Sequence, residues 1–380
     1  MGKDTIAFVS TYAHPSRDSV ERTLREAFPE FELEVIDLAT VLKAHRRWRI
    51  PNLLTTFKEY GGELLRREAL LRVRYFHTTY LLRKIRSAMP EFIDRRRHVF
   101  SFQTQSMYDT AVPGVPHFIY TDHTHLSNLH STYFDPKTLR PPAWRALERD
   151  TYHHAACVFT RSTNVMRDLV QQYGLPPSKA ACVYAGSNVR VSPTFRPQND
   201  GYSNRHIIFV GGDWVRKGGP ELARAFERVL EVYPDAYLTI AGAQPELDLP
   251  NCQVLGQVAL EDLTAHYAKA SVFCLPTKLE PFGIAFLEAM LHRLPVVATR
   301  IGAVPDMVQA GVTGELVMPG DVDGLATALI ALLGDPARCQ QYGAAGHERV
   351  TQIYTWTRVG ERMRERINQT VFRKSGPRRA

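Results

Sequence analysis

Residues 275–299 read LPTKLEPFGIAFLEAMLHRLPVVAT, and this stretch decides the fold. An apolar strand ends near Pro276, a loop carries Glu280, and a helix begins at about Gly283 and runs to about Arg293. A strand that leads into a helix through a short loop is the repeating unit of a parallel sheet covered by helices. The stretch therefore predicts an α/β domain around it.

The rest of the second half repeats this alternation. Amphipathic helical segments at 220–233, 260–270 and 321–333 lie between apolar runs, and such alternation predicts a parallel sheet with helices on both faces. The predicted strands are HIIFVGG (206–212), AYLTIAG (236–242), SVFCLPT (271–277), PVVAT (295–299) and GELVMP (314–319).

The first half follows the same pattern less regularly. Residues 52–90 are interpreted as long basic helices inserted into this domain, and 190–204, rich in Pro, Asn, Ser and Gly, as a linker. The predicted strands are TIAFVST (5–11), LEVIDL (33–38), HVFSFQT (98–104), HFIYTD (117–122), CVFTRS (157–162) and ACVYAG (181–186).

A chain of 380 residues is too long for one ordinary core, so two domains are expected. We predict an α/β fold with two Rossmann-like, doubly wound domains facing a central cleft. Ligands of such sheets bind outside the carboxyl ends of the strands. The predicted divisions are a first domain at 1–190, a linker at 191–204, a second domain at 205–354, and a closing helix with a basic tail at 355–380.

Cysteine usage and hydropathy predict a cytoplasmic protein. The five cysteines are scattered without CxxC pairing, which argues against a disulfide framework or a zinc ribbon and favours a reducing compartment. No stretch reaches 18 apolar residues, so no membrane span is expected. The N-terminal apolar run is too short for a signal peptide and fits a first strand.

The positive charge is concentrated in the first half of the chain. Residues 1–190 contain 27 basic and 19 acidic residues, whereas 191–380 contain 20 of each. Residues 43–97 alone contain 15 basic and 5 acidic residues. This region is either a solvated helical face or a patch for an anionic partner.

Leucine and aromatic residues interleave with arginine at 62–90, as in a helix that lies on an anionic membrane surface. Nucleic acid is not expected, because no RNP, KH or helix-turn-helix signature is present.

The loop and helix start at 280–288 suit a nucleotide sugar. The free N–H groups of a helix start and its dipole favour an anion such as a diphosphate. Glu280 and Glu288 flank this point, and each carboxylate accepts hydrogen bonds from paired hydroxyls of a sugar. The alternative is a helix whose N-terminal acid matches its dipole, with Glu288 solvated.

A second candidate site follows the strand at 206–212. Arg216 and Lys217 form a basic pair before a helix start, where they would neutralise a diphosphate leaving group. The spacing matches neither a P-loop nor GxGxxG. The alternative is a surface turn with solvated charges.

Histidines and a DxD string raise the question of a metal site. The spacing of His123, His125 and His130 is no familiar ligand pattern, and acidic partners are few, so ordinary packing or surface histidines explain them better. The string Asp321-Val322-Asp323 precedes a predicted helix and is better explained by helix capping. No metal is expected.

The glutamate pair around PFGIAFL resembles the motif of the retaining glycosyltransferases of family 4, which have the GT-B fold. The similarity covers most of 206–335 and extends faintly into the first half. By this resemblance, Glu288 would hold the ribose hydroxyls and Glu280 would contact the donor sugar. The backbone amides implied in binding the sugar and the diphosphate are those of Phe282, Gly283 and Ile284.

The resemblance also assigns further residues. Lys217 matches the family lysine, whereas Gly212 stands at the position of the family arginine, so that Arg216 would have to replace it. His123, in the stretch TDHT, would face the donor sugar. The segment NCQVLGQV resembles the part that lines the nucleobase, through Gly256, Gln257 and Val258.

The acceptor side departs from the family. The Gly-Gly pair that many members carry after the first strand is missing, and STYAHPSRDS stands there instead. His14, Ser16 and Arg17 are therefore only candidate contacts. Trp356, in YTWTRVGERM, would anchor the closing helix.

Together these features predict a metal-independent transferase that moves a hexose from a nucleotide-diphosphate sugar to a hydroxyl acceptor with retention of configuration. No cofactor is expected besides the donor, and the protein would be cytoplasmic or peripheral at the membrane. Three alternatives remain: an epimerase or hydrolase of nucleotide sugars, a nucleic-acid-binding protein using 43–97, and a non-catalytic scaffold. The residues favour no particular nucleobase, sugar or acceptor.

Overall fold

The computed structural model describes residues 5–10, 15–67, 69–189 and 201–372. Most of the predicted linker and the basic tail lie outside the described residues. The chain forms two compact units. The first contains Met1–Ser127, Asp135–Tyr184 and Val359–Ala380, and the second contains Asn128–Phe134 and Ala185–Arg358.

These divisions differ from the sequence-based ones by a few residues, and in one short segment. Asn128–Phe134 groups with the second unit, where the Ser131 hydroxyl donates to the Lys278 carbonyl at 2.5 Å. The last helix belongs to the first unit from Val359 onwards.

The first unit has a parallel six-stranded sheet in the order β2-β1-β3-β4-β5-β6. Every strand predicted in the first half is present. The strands are β1 Thr5–Ser10, β2 Glu32–Asp37, β3 His98–Thr104, β4 His117–Thr121, β5 Cys157–Thr160 and β6 Ala180–Cys182. The α-helices are α1 Pro15–Ala27, α2 Leu38–Ala44, α3 Arg49–Leu65, α4 Leu71–Tyr75, α5 Thr79–Ala88, α6 Pro142–His154 and α7 Thr163–Gln171.

The inserted basic region forms helices, as predicted, but only α3 is long, whereas α4 and α5 are short. The Thr78 side chain accepts a hydrogen bond from the Leu81 amide, so that a new helix begins at Thr79. In α5, Leu81, Leu82 and Ile85 are buried in the core. The expectation that the apolar residues of 62–90 face lipid is therefore wrong for this part of the segment.

The second unit has a parallel six-stranded sheet in the order β12-β11-β10-β7-β8-β9. Its strands are β7 His206–Val210, β8 Tyr237–Ala241, β9 Cys252–Gly256, β10 Val272–Leu275, β11 Val296–Thr299 and β12 Gly314–Val317. Its α-helices are α8 Gly219–Val232, α9 Leu260–Lys269, α10 Ile284–Leu291, α11 Val304–Met307, α12 Val322–Leu333 and α13 Pro336–Ile353, after which α14 Trp356–Val371 leads into the first unit.

Short 3₁₀ helices connect several of these elements. They are Arg46–Trp48, Met89–Glu91, Leu126–His130, Pro136–Thr138, Pro177–Lys179 and Gly201–Ser203. None of the five cysteines, which all lie in the described part of the chain, is in a disulfide, as expected from their spacing. No helix in the described part of the chain combines the length and the hydropathy that a bilayer span requires.

Candidate active site

The two loops predicted to carry the chemistry follow neighbouring strands. β7 leads through residues 211–218 into α8, and β10 leads through residues 276–283 into α10. Because β7 and β10 are paired and parallel, their carboxyl ends meet at the same edge of the sheet. Lys217 and Glu280, 63 residues apart in sequence, are thereby brought together.

Lys217 and Glu280 form a buried ion pair. The Lys217 Nζ donates to Glu280 Oε2 at 2.5 Å, and the two side chains are 13% and 4% exposed. A carboxylate with so little access to water is stable as an anion only beside a positive partner. This pair excludes the alternative that Lys217 is a solvated surface charge.

Arg216 holds the two loops to each other. Its Nη1 donates to the Leu279 carbonyl at 2.9 Å, and its own carbonyl accepts from the Lys278 amide at 2.8 Å. Its Nε also donates to Asp213 Oδ2 at 3.2 Å. With these contacts, Arg216 positions the loop that carries Glu280.

The start of α10 lies directly beyond Glu280. Gly283 precedes the helix with φ of +93°, and a Cβ there would lie 2.5 Å from the Phe286 ring and 3.2 Å from the Glu280 carboxyl carbon. Only glycine fits this position. In the described part of the chain, no side chain caps this helix start. Phe282 is buried and Ile284 is half-buried, and amides at an uncapped helix start suit an anion.

Glu288 lies inside α10 and is also buried. It is 6% exposed, and burial raises the pKa of its carboxyl to about 7, although the Tyr267 hydroxyl, 3.5 Å from Oε2, opposes this. The alternative of a solvated Glu288 is therefore wrong. A buried carboxyl with a pKa near neutrality, one turn inside a helix that starts at a binding loop, is typical of a ligand site.

The remaining predicted contacts of the second unit lie at the carboxyl ends of its strands. Gly212, after β7, is exposed, and a Cβ there would be 3.9 Å from the nearest atom, the Gly242 carbonyl oxygen. Gly256 ends β9, and its carbonyl accepts from the Gly242 amide at 2.6 Å. The Gln257 side chain donates to the Gly242 carbonyl at 2.8 Å, and Val258 is half-buried.

The histidines do not form a metal site. Among the described residues, no group of three or more His, Cys, Asp or Glu side chains could hold a metal ion. His125 is a packing residue: its Nε2 accepts from the Arg140 amide at 2.9 Å, and burial lowers its pKa to about 3. His123 lies in the first unit after β4, half-buried, with its carbonyl accepting from the Thr121 hydroxyl at 2.8 Å. Its contact with a donor sugar stays a prediction.

The other sequence-based candidates have simple explanations or fall outside the described residues. Asp321 caps α12, its Oδ1 accepting from the Gly324 amide at 2.8 Å, as predicted. His14 lies outside the described residues, as does the side chain of Ser16. Arg17 lies 3.6 Å from Asp37 in an ion pair.

The sequence did not point to Gly302, which supports the site from the neighbouring loop after β11. Its φ is +54°, and a Cβ there would lie 2.3 Å from the Glu280 carbonyl oxygen. The Thr299 hydroxyl, at the end of β11, donates to the Thr277 carbonyl. A glycine three residues after a strand end was the only available signal, and it is not specific.

The chain resembles known proteins most clearly in this unit. Residues 204–335 match the family described as Glycosyl transferases group 1. A GDP-mannose-dependent alpha-(1-6)-phosphatidylinositol monomannoside mannosyltransferase of Mycolicibacterium smegmatis is 34% identical over 171 residues, 40% of this chain and 45% of that protein. An alpha-maltose-1-phosphate synthase of the same organism is 31% identical over 263 residues, 60% of this chain and 65% of that protein. The chain spans about half the length of the curated relatives it matches.

Solved structures support the fold over the whole chain. The sucrose-phosphate synthase of Thermosynechococcus elongatus has 18% identity and a TM-score of 0.69, covering 98% of this chain and 100% of that one. The predicted GT-B architecture is thereby confirmed, and the resemblance of the second unit to glycosyltransferases is supported by the family match. Residues 204–335 are thus similar to the family described as Glycosyl transferases group 1, and the two parallel six-stranded sheets of the chain are those of the GT-B fold.

Proposed function

We propose that the chain transfers a hexose from a nucleotide-diphosphate sugar to a hydroxyl acceptor, with retention of configuration and without a metal ion or a further cofactor. The observation that carries the proposal is the buried pair of Lys217 and Glu280 beside the uncapped start of α10, with Glu288 one turn further. The lysine ammonium and the helix amides are suited to bind a diphosphate, and the two carboxylates are suited to accept hydrogen bonds from sugar hydroxyls.

In the proposed reaction, the bond between the anomeric carbon and the diphosphate oxygen breaks, and its electron pair leaves with the diphosphate. The Lys217 ammonium and the amides at 282–284 stabilise this charge. An ammonium has three donors, so Lys217 can contact a phosphate while it keeps its bond to Glu280. The acceptor oxygen bonds to the anomeric carbon on the face that the diphosphate leaves, and its proton passes to the departing phosphate oxygen.

Binding of a nucleoside diphosphate is expected to depend on pH through Glu288. Its pKa of about 7 lies above the ordinary value of 4.5, so the carboxyl is neutral below pH 7 and ionised above it. The ionised form accepts hydrogen bonds from both ribose hydroxyls. We therefore expect affinity for UDP, GDP or ADP, whichever binds, to be about tenfold weaker at pH 6 than at pH 8. The measurement is the rise in melting temperature with nucleotide concentration at each pH.

The Glu288→Gln variant provides the control for this experiment. The substitution removes the titrating carboxyl of the protein. The phosphate groups of the nucleotide titrate in the same pH range and are the same in both experiments. The difference in pH dependence between wild type and variant is therefore the contribution of Glu288. If wild type and variant have equal pH profiles, Glu288 does not bind the ribose. If none of the three nucleotides raises the melting temperature, the proposed donor is wrong.

A hydrolase or epimerase acting on the same donor is the main alternative activity. Product analysis with and without acceptors distinguishes these possibilities. Transfer gives a product that contains the acceptor, whereas hydrolysis gives free sugar in its absence. The relatives named above act on a phosphatidylinositol monomannoside and form alpha-maltose-1-phosphate, so lipid and sugar-phosphate acceptors are the first to test.

We further propose that the protein is peripheral at an anionic membrane surface, through the basic region at 43–97. Helix α3 has its apolar side chains outward: Ile50 and Leu54 are 73% and 66% exposed. Its buried positions are polar instead, with the Asn52 side chain donating to the Tyr75 carbonyl at 2.8 Å. Ile50, Leu53, Leu54 and Phe57 follow the i, i+3, i+4, i+7 spacing of one helix face.

The double substitution Leu54→Glu with Phe57→Glu is expected to abolish sedimentation with anionic phospholipid vesicles. Each apolar side chain that enters the membrane contributes about 1.5–3 kcal/mol to the binding free energy. Each basic residue near the anionic surface contributes about 1 kcal/mol. Val232→Glu is the matched control, because Val232 is a half-exposed apolar residue of the second unit. Vesicle binding that the double substitution leaves unchanged would remove this surface from the proposal.

A further inference from the structure

The first unit contains a large apolar cavity that the proposed donor site does not use. Its volume is about 830 Å³, within the range of roughly 300–1,000 Å³ typical of small-molecule sites. Leu38, Trp48, Leu81 and Tyr108 line it and are buried. The cavity opens to solvent, where the exposed side chains of α4 lie at its edge.

The position of the cavity in the fold is that of a ligand site. Leu38 directly follows β2, and Tyr108 follows β3 by four residues. β2 and β3 pair with opposite sides of β1, so the order of the sheet reverses at this point. In doubly wound sheets, ligands bind outside the carboxyl ends of the strands at such a reversal.

The charges at the cavity identify the chemistry of its occupant. Lys43, Arg49 and Arg72 line it and are exposed. Within the described residues, no carboxylate lines the cavity, and none of these three residues forms an ion pair. His77 adds no charge at neutral pH, because burial lowers its pKa to about 4. The site therefore combines an apolar interior with a basic entrance.

We propose that this cavity holds the hydrocarbon chain of an anionic amphiphile whose phosphate group binds Lys43, Arg49 and Arg72, and that the hydroxyl acceptor of the transfer is an amphiphile of this class. The second clause rests on the proposed function. A free anion lacks the apolar part that the interior requires, and an uncharged lipid lacks the group that the basic entrance requires. The site therefore takes one chain with one acidic headgroup, in addition to the membrane contact proposed for the outward face of α3.

Titration calorimetry of the full chain, without vesicles, tests this assignment with monomeric probes below their micellar concentration. We expect decyl phosphate to bind, and decanol and inorganic phosphate to bind much more weakly. From octyl to decyl phosphate, affinity should rise by up to roughly fourfold for each added methylene. Equal affinity for the two chain lengths, or no binding of either, would overturn the proposal.

Substitutions at the cavity separate it from the surrounding surface. Ala39 lines the cavity on α2, whereas Ala44, which is also an exposed residue of this helix, does not. Ala39→Trp should lower the affinity for decyl phosphate by about tenfold, the equivalent of two buried methylenes, and Ala44→Trp should leave it unchanged. An equal effect of both substitutions would contradict binding inside the cavity.

The headgroup contacts are tested separately. Lys43→Gln, Arg49→Gln and Arg72→Gln should each reduce the preference for decyl phosphate over decanol. Lys58→Gln, on the exposed part of α3 outside the cavity, should not. A contact with the membrane surface alone, without a ligand in the cavity, predicts a different result. In that case Ala39→Trp should not change the affinity for decyl phosphate measured without vesicles.

The same preparations are tested with nucleoside diphosphates, so that the two proposals fail independently. Nucleotide binding without decyl phosphate binding would remove the cavity assignment and leave the donor site. Decyl phosphate binding without nucleotide binding would remove the proposed transfer and, with it, the acceptor role of the amphiphile.

Discussion

Replacing Lys217 with alanine is expected to lower kcat for sugar transfer by about 10²–10³-fold, because the variant lacks the group proposed to stabilise the departing diphosphate. The substitution also leaves the Glu280 carboxylate buried without its partner, which costs about 3–5 kcal/mol of stability. Both kcat and the free energy of unfolding must therefore be measured.

A second variant separates the chemical role of Lys217 from its structural role. In Lys217→Met with Glu280→Gln, no charge is left buried, so we expect stability to recover while transfer remains lost. Lys278→Ala is the matched control, because Lys278, in the loop that carries Glu280, pairs with Glu221 of α8 at 2.9 Å but has no part in the proposed site. Wild-type turnover in Lys217→Ala, or a recovery of transfer in the double variant, would contradict the assignment.

Gly302→Ala is expected to lower kcat about a hundredfold, although glycine has no side chain that could take part in the reaction. The new Cβ would lie 2.3 Å from the Glu280 carbonyl oxygen, so the loop at 276–283 must move away. If Glu280 has its proposed role, displacement of this loop by about 1 Å is enough for a loss of this size. Steady-state kinetics should show the loss in kcat rather than only in KM.

Gly311→Ala controls for backbone strain. Both glycines have positive φ, +54° and +75°, so both substitutions cost about 1–2 kcal/mol from the left-handed conformation. At Gly311, however, a Cβ would meet nothing within 4 Å. If the two variants lose activity equally, the contact between Gly302 and Glu280 has no role in positioning the loop.

The sheet cores were predictable because parallel strands are apolar along their whole length. Segments such as 206–212 and 271–277 have no other stable location than between two layers of helices. The strand β9 Cys252–Gly256 was not predicted as a strand, because it lies at the edge of its sheet, where Gln253 and Val254 are exposed. An edge strand has no need of a continuous apolar run.

The candidate site was predictable in its members but not in their contacts. The spacing of Glu280 and Glu288 around a helix start indicated two carboxylates near an anion site. That Lys217 binds Glu280 directly depends on the pairing of β7 with β10, which sequence spacing does not encode. The contact of Gly302 with Glu280 likewise depends on strand order.

Helix patterns were the least reliable guide in the basic region. Leucine and basic residues occur in both α3 and α5, yet Leu82 and Ile85 face the core while Leu54 faces solvent. Which face of an amphipathic helix is covered depends on its neighbours. In α3, hydrogen bonds from Asn52 and Tyr60 hold the polar face inward.

The first unit is discontinuous in sequence, since it includes residues from Val359 onwards. In this last part, Val359, Met363 and Ile367 are buried, and Arg362 donates to the Val183 carbonyl at 3.1 Å. During synthesis, the ribosome releases these residues after the entire second unit has emerged. The part of the protein that is translated first is therefore completed last, and a fragment that stops before Val359 would leave its apolar surface exposed to chaperones and proteases.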